Sequence, residues 1–240
     1  MFKIANSPVE YYQAYGFSAE FLNRYGSSNE KNDMINSFVK VAPQDMVVDI
    51  GCGNGSFLAR HCQQGVGIVP SEEEVKTLFE IFRKNNCFKI ALSVGTATKN
   101  LLPNQYAHKV IFNNAFHCLR DFDEVIAAFK EIRRISKPGA LVWVGQVPAR
   151  PEEFEQYYYG NSILGFLLHT KQHRGYWTLI KEVWRLIQAV CGFNIFVISD
   201  FSYLTAYPEE VIALAKEAGL ELMMSRKFNE TRNDFLFKHI

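Results

Sequence analysis

Short β-branched runs alternate along the chain with stretches of helical period, which predicts strands interleaved with helices. The clearest run, Met46-Val47-Val48-Asp49-Ile50, stops at Gly51. Ser56-Phe57-Leu58-Ala59-Arg60 then opens a helix. Gly65 to Val69 repeats the rhythm, and Pro70-Ser71-Glu72-Glu73-Glu74 starts a helix to about Lys84 in which Ser71 and Glu74 have capping-box spacing. Phe88 to Val94 and Lys109 to Phe112 read as further buried strands. Asp121 caps a helix whose Val125, Ile126, Phe129 and Ile132 follow the 3.6-residue period. Lys137-Pro138-Gly139 closes that helix, and Ala140 to Val147 is the next strand. β-rich runs joined by helices or long crossovers predict an α/β, doubly wound, mostly parallel sheet.

The flanks differ from this core. Residues 1–44 have helical patterning and clustered tyrosines (Tyr11, Tyr12, Tyr15, Tyr25), expected to pack over the ligand edge of the sheet. Residues 148–206 are too many for a crossover in a compact fold and are rich in aromatics, with Phe154, Tyr157 and Tyr158 on one helical face. They read as a helical cap inserted after the fifth strand. Pro208 to Ala218 is the last helix, with Gly219 as its C-cap, before Glu221 to Phe228 and Asp234 to Ile240 as a terminal strand pair. The expected organisation is one domain: an N-terminal helical cap (1–44), a core (45–147), the cap insertion (148–206) and the closing helix and strands (207–240).

Composition narrows the function classes. The chain of 240 residues is 48% hydrophobic and 21% charged, a globular balance that excludes a disordered or collagen-like protein. A formal charge of +1 supplies no field for holding a polyanion, so nucleic acid is not an expected partner. Five widely spaced cysteines without a CxxC pair argue against a disulfide framework or a zinc site and for a reducing compartment. With no apolar leader and no run near the ~18 apolar residues that cross a bilayer, the expectation is a cytoplasmic protein, without a membrane partner, that could form a homodimer.

Asp49-Ile50-Gly51-Cys52-Gly53-Asn54-Gly55 places an acidic residue at a strand end before three alternate glycines. Glycine there permits positive φ and lets a ligand reach the backbone, and the following helix start offers amide donors. Here the chain resembles the class I S-adenosylmethionine (SAM) dependent methyltransferases, over roughly residues 45–147 and again from about Tyr207 to Ile240. Leu101-Leu102-Pro103 and the stretch Glu131 to Ala140, similar to the family's E-x-x-R-x-L-x-P-G-G segment, agree with it. The resemblance implies a seven-stranded sheet whose last strand is antiparallel. It also implies SAM as cofactor and S-adenosylhomocysteine as product, with Asp49 orienting the amino end of SAM and Gly51, Cys52, Gly53 and Gly55 lying under its methionine part. Val69 and Pro70 then stand at the ribose, Thr96 and Ala97 at the adenine, and Asn113 and Ala115 touch SAM through backbone atoms. Tyr11 and Tyr15, one helical turn apart, are candidates either to close over it, as the N-terminal helix does in relatives, or for ordinary packing. Two positions depart from the family: Val69 where an acid usually grips the ribose hydroxyls, and Thr96 where an acid often reads the adenine amine.

Methyl transfer from a sulfonium is an in-line displacement that needs alignment more than covalent catalysis. His117, following the fourth strand, is the candidate base for a hydroxyl acceptor, against a structural reading in which it bonds a backbone carbonyl. His169 and His173 are one helical turn apart but lack a third ligand, so no metal is expected. Tyr157, Tyr158, Tyr176 and Trp177 are candidate acceptor-pocket residues or ordinary core. Arg133, Arg134 and Lys137 read as a solvated helix end, and Cys52 as a small filler. The reading that follows is a methyltransferase for a small-molecule or sugar-like acceptor, O- or N-directed. The alternative is a degenerate SAM- or nucleotide-binding module, with a nicotinamide oxidoreductase disfavoured by Val69 and by the lack of a Tyr-Lys pair.

Overall fold

The structure, a computed structural model, describes residues 2–5, 10, 28–84, 89–149, 163–193, 196–199, 204–229 and 231–240. The chain divides into two compact units, one of residues 1–17 and 150–203, the other of residues 18–149 and 204–240.

The larger unit holds the core. Its strands are β2 (Met46–Ile50), β3 (Gln64–Val69), β4 (Ile90–Val94), β5 (Ala107–Asn113), β6 (Ser136–Pro148), β8 (Leu220–Asn229) and β9 (Arg232–His239), and its helices are α1 (Asn29–Val39), α2 (Ser56–His61), α3 (Glu72–Lys84), α4 (Phe122–Ile135) and α6 (Pro208–Glu217). The strands form one seven-stranded sheet in the order β4-β3-β2-β5-β6-β9-β8. Pairing is parallel from β4 to β6, while β9 runs antiparallel to both β6 and β8. Every strand read from the periodicity is present, so the expected fold class holds.

Alternation along the strands decides what each face meets. Val48, Ile50, Val66, Ile68, Val110, Phe112, Val142 and Val144 join one cluster with Val125, Phe129 and Ile132 of α4 and Val211 and Ala215 of α6. The other face takes the remaining helices: Phe38 of α1 stacks on the fully buried Trp143, ring centroids 5.6 Å apart, and Gly65 of β3 leaves room for Leu58 of α2. Asp121 caps α4 by accepting from the Glu124 amide at 2.9 Å, as its side-chain chemistry suggests.

Three details differ from the sequence pattern. Strand β6 starts at Ser136, before the Pro-Gly pair: Ser136 pairs with Ala107 and Leu141 with Lys109, so Lys137 to Ala140 bulge out, with Gly139 at φ +82°. Helix α6 ends on Ala218, and Gly219 (φ +83°) follows the cap. Arg134 is no solvated helix end; it forks onto Glu131 at 2.7 and 2.8 Å and donates to the Leu102 carbonyl and to Asn104 Oδ1, both at 2.8 Å. Glu131 also accepts from the Asn100 amide, so this pair clips the loop before β5 onto α4.

The smaller unit contains a two-stranded parallel sheet that the sequence pattern did not foresee, β1 (Phe2–Ala5) on β7 (Phe196–Ser199). Its long helix α5 (Ile163–Val190) is broken at Gly175, whose φ of +79° and ψ of 171° are non-helical. Phe166 from one arm clusters with Leu186 and Ala189 from the other, so the arms fold back on each other. No described helix is long and apolar enough to cross a membrane.

Candidate cofactor site

Four neighbouring parallel strands, β4-β3-β2-β5, bring the candidate residues to one edge of the sheet, their carboxyl ends. The turn after β2 is wound left-handed at each glycine, with φ of +68° at Gly51, +54° at Gly53 and +69° at Gly55. The three glycines nevertheless do different work. A Cβ on Gly51 would lie 3.1 Å from the Ala115 Cβ, one on Gly55 would overlap the Phe82 ring of α3, and one on Gly53 would meet nothing within 4 Å among the described residues. Gly53 is thus where a ligand can rest against main chain, whereas Gly55 makes room for a helix.

Most amides of the turn are already used. Gly51 and Cys52 donate to the Ile68 carbonyl, at 2.9 and 3.4 Å, and Gly55 donates to the Cys52 carbonyl at 2.8 Å. The start of α2 is capped from within: Asn54 Oδ1 accepts from the Ser56 amide at 3.1 Å, so that donor is spoken for and not left open as the sequence suggested. Cys52 is buried and its Sγ fills the space beside Gly67 where a Cβ would come within 2.7 Å. Burial, with the charges of Asp49 and Glu74, pushes the thiol well up, which suits a filler and not a nucleophile.

Asp49 closes β2 with 5% exposure, and burial raises its pKa to about 8. At neutral pH such a carboxyl is mostly protonated.

The turn after β3 is built otherwise. Val69 is 1% exposed, Pro70 is exposed, and Ser71 Oγ accepts from the Glu74 amide at 3.2 Å, the first half of a capping box. The reciprocal half takes another form: Glu74 Oε1 receives the Ser71 hydroxyl at 3.4 Å. Glu74 is 5% exposed, and burial raises its pKa to about 7 against the lowering effect of Ser71. Sequence reading saw only a cap here, because S-x-x-E looks the same whether the carboxyl lies on the surface or inside. After β4, Thr96 is exposed and tied to its own turn, donating to the Lys99 carbonyl at 2.8 Å and accepting the Lys99 amide on Oγ1 at 3.1 Å, while Ala97 is buried.

Past β5, Asn113 Oδ1 accepts from Trp143 Nε1 at 3.3 Å. Asn114 (φ +53°) accepts from Arg232 Nη1 at 2.7 Å, and the same nitrogen donates to the Gln146 carbonyl at 3.1 Å. His117 sits in a 3-10 turn, Phe116–Cys118, with 5% exposure. Burial, and secondarily the Arg232 charge, lowers its pKa to about 3, so the imidazole is neutral throughout the physiological range. A depression of about 370 Å³ lined by Asn104, Lys130, Arg133, Pro138 and His239 lies instead at the amino ends of β5 and β6.

Tyr11, Tyr15, Phe154, Tyr157 and Tyr158 lie outside the described residues, as do the side chains of His169 and His173. Tyr176 and Trp177 are exposed on α5, with Lys171 Nζ 5.3 Å from the Tyr176 ring centroid. Among the described residues no group of three His, Cys, Asp or Glu could hold a metal ion.

Known proteins share this fold. Residues 47–139 match the family model described as a methyltransferase domain. No curated protein matches the sequence. Among solved structures, the PH0226 protein from Pyrococcus horikoshii is similar at 16% identity, over 95% of this chain and 96% of that one, with a TM-score of 0.64. A SAM dependent methyltransferase from Aquifex aeolicus is similar at 12% identity, over 92% and 98%, with a TM-score of 0.60. The [4+2]-cyclase SpnF is similar at 14% identity, over 82% of this chain and 59% of that one, with a TM-score of 0.56. Residues 47–139 therefore match a methyltransferase domain, and the sheet that carries them has the fold of solved SAM-dependent methyltransferases.

Proposed function

We propose that the chain transfers the methyl group of SAM to a small-molecule or sugar-like acceptor, at oxygen or nitrogen. The observation that carries this reading is the turn after β2: Gly53 is open above its Cα, and the buried carboxyl of Asp49 stands at the end of the same strand. That pair fits the methionine end of SAM, an amino acid whose ammonium would ionise Asp49 and whose chain needs bare backbone to lie on.

When bound, SAM supplies an electrophilic methyl group on a sulfonium. The protein's part is to bind, align and exclude water. Gly53 would support the amino-acid tail, Asp49 would pair with the ammonium and release its proton to solvent, and Ala97 would stand as an apolar neighbour for the adenine. On the acceptor side, Asn113, Asn114 and Arg232 form a polar group beside the carboxyl end of β5. A formal charge of +1 suits a small acceptor better than a polyanion. A base near pH 7 should have a matching pKa, which His117 at about 3 lacks. We therefore read His117 as a structural wall of the site, and an amine acceptor or one already ionised needs no protein base.

A second reading, a SAM-binding module without transferase activity, is favoured by Val69 and Thr96, which remove two carboxylates from the adenosine side. Titration with S-adenosylhomocysteine separates these readings when combined with labelled-methyl transfer to a panel of small amines, phenols and sugars. Binding with transfer supports the proposal, and binding without transfer to any acceptor favours the module. A protein that binds no adenosyl ligand at millimolar concentration overturns both.

A further inference from the structure

The depression at the amino ends of β5 and β6 lies at the opposite edge of the sheet from the glycine turn, and the cofactor reading makes no use of it. Helix α4 ends there, and basic residues at a helix end are ordinarily partners for its last carbonyls. Those carbonyls are already taken. The Ser136 amide donates to the Ile132 and Arg133 carbonyls, the Gln105 amide to the Arg134 carbonyl at 2.8 Å, and the Tyr106 amide to the Ile135 carbonyl at 2.7 Å. Arg134 is spent as well, on Glu131, Leu102 and Asn104. Two cations remain for the depression. Lys130 has a loose ion pair, 4.0 Å from Glu217, and Arg133 makes no side-chain hydrogen bond or ion pair among the described residues. Arg133 is nonetheless held in place: its side chain lies on the backbone of Gly219, where a Cβ would come within 2.6 Å of Nε.

The buried member of the lining is His239, 7% exposed. Its Nδ1 stands 3.0 Å from the Ser136 carbonyl, an oxygen that can only accept, so Nδ1 carries a proton and the neutral ring keeps its lone pair on Nε2. That Nε2 has no hydrogen-bond partner among the described residues. A buried lone pair beside unspent cations suits a ligand that is negative and still has a proton to give. Sulfate and carboxylates lack such a proton at neutral pH; hydrogen phosphate has one. We infer that the depression, about 370 Å³ in volume, binds a hydrogen-phosphate group, either inorganic phosphate or a small phosphomonoester. Arg133 and Lys130 hold its charged oxygens, and its P–OH donates to His239 Nε2. The seven residues of β5, about 20 Å of strand, separate this site from the cofactor edge, so it stands independently of the SAM reading.

Calorimetric titration of the full chain at neutral pH with inorganic phosphate, glycerol phosphate and sulfate provides the test. The variants are His239→Asn, Arg133→Gln and, as a control on the distant α3, the exposed Lys76→Gln. Asparagine carries its amide nitrogen where Nδ1 stands, so the bond to Ser136 survives while the Nε2 acceptor is lost. The wild type should bind phosphate or the monoester with a Kd of about 1 mM or below and prefer it to sulfate by about tenfold. His239→Asn should bring phosphate down to the level of sulfate, Arg133→Gln should weaken both anions by about tenfold or more, and Lys76→Gln should leave both within about twofold. Tighter binding of inorganic phosphate than of the monoester identifies the free ion as the ligand, and the reverse order identifies a metabolite that bears it. Absence of phosphate binding at about 20 mM, or an equal loss in Lys76→Gln, overturns the site. A preference for phosphate that survives in His239→Asn overturns the role of His239. Arg133 is exposed, so its variant keeps the test decisive even where the asparagine disturbs folding.

Discussion

The turns after β2 and after β3 sit side by side at one sheet edge and are built in opposite ways. The first is made of glycines in left-handed conformation, with its acid on the strand, Asp49. The second has a proline and a serine, a buried apolar strand end at Val69, and its acid inside the helix at Glu74. A bare turn must be written in the sequence because only glycine takes those dihedrals and leaves that space. A helix-start carboxyl such as Glu74 can be surface or buried under the same S-x-x-E pattern, so its environment is not written locally.

The largest effect should come from forcing the second turn to copy the first. Val69→Asp would bury a charge at a position that is 1% exposed, so denaturant unfolding should show about 3 kcal/mol or more of lost stability with no gain in ligand affinity. Tighter binding at unchanged stability would show that strand ends are interchangeable after all.

Next in size is a contrast within the first turn. Gly55→Ala should lower unfolding free energy by about 2 to 3 kcal/mol, because the methyl group meets the Phe82 ring at positive φ. Gly53→Ala should cost only about 1 kcal/mol of stability but about tenfold or more in S-adenosylhomocysteine affinity. The same order of effects at both sites would mean that neither glycine faces a ligand.

Asp49→Asn acts on the same turn through charge. The folded pKa of about 8 lies above the ordinary 3.8, so the stability tied to this proton is present below pH 4 and lost as pH rises toward 8. The asparagine variant should therefore be more stable than wild type at pH 8, by about 2 kcal/mol or more, and melt higher, while losing about 100-fold in affinity. A lower melting point at that pH would place a cation beside Asp49.

The smallest effect at neutral pH concerns His117, whose folded pKa of about 3 lies below 6.5. Its contribution is complete above pH 6.5 and disappears as pH falls toward 3, a slope of about 1.4 kcal/mol per pH unit that His117→Gln should remove. Turnover should change little in that variant; a collapse of kcat by about 100-fold would restore His117 as the base.

Much of the sheet was legible because its strands are short β-branched runs bounded by glycine, proline or polar caps, and Met46–Ile50 appears with the ends its sequence suggests. Pairing between distant segments was not. Strand β1 meets β7 across nearly the whole chain, and Phe2-Lys3-Ile4-Ala5 carries no local sign of it. The bulge at Lys137 to Ala140 hid behind a Pro-Gly pair that normally ends an element. In the site, the glycine turn was readable, but the division of labour between Gly53 and Gly55 depends on Phe82, which lies 27 residues beyond Gly55. Arg134 looked like a helix-end charge until the loop it clips, from Asn100 to Asn104, was placed beside it.

Calorimetry of S-adenosylhomocysteine binding at pH 7, run in two buffers of different ionisation enthalpy for the wild type and Asp49→Asn, tests the core of this account. Micromolar binding by the wild type with release of a proton, and loss of both affinity and proton release in the variant, is the outcome that a buried acid awaiting an ammonium requires. Binding of equal strength in the two proteins, with no difference in protons released, would contradict it.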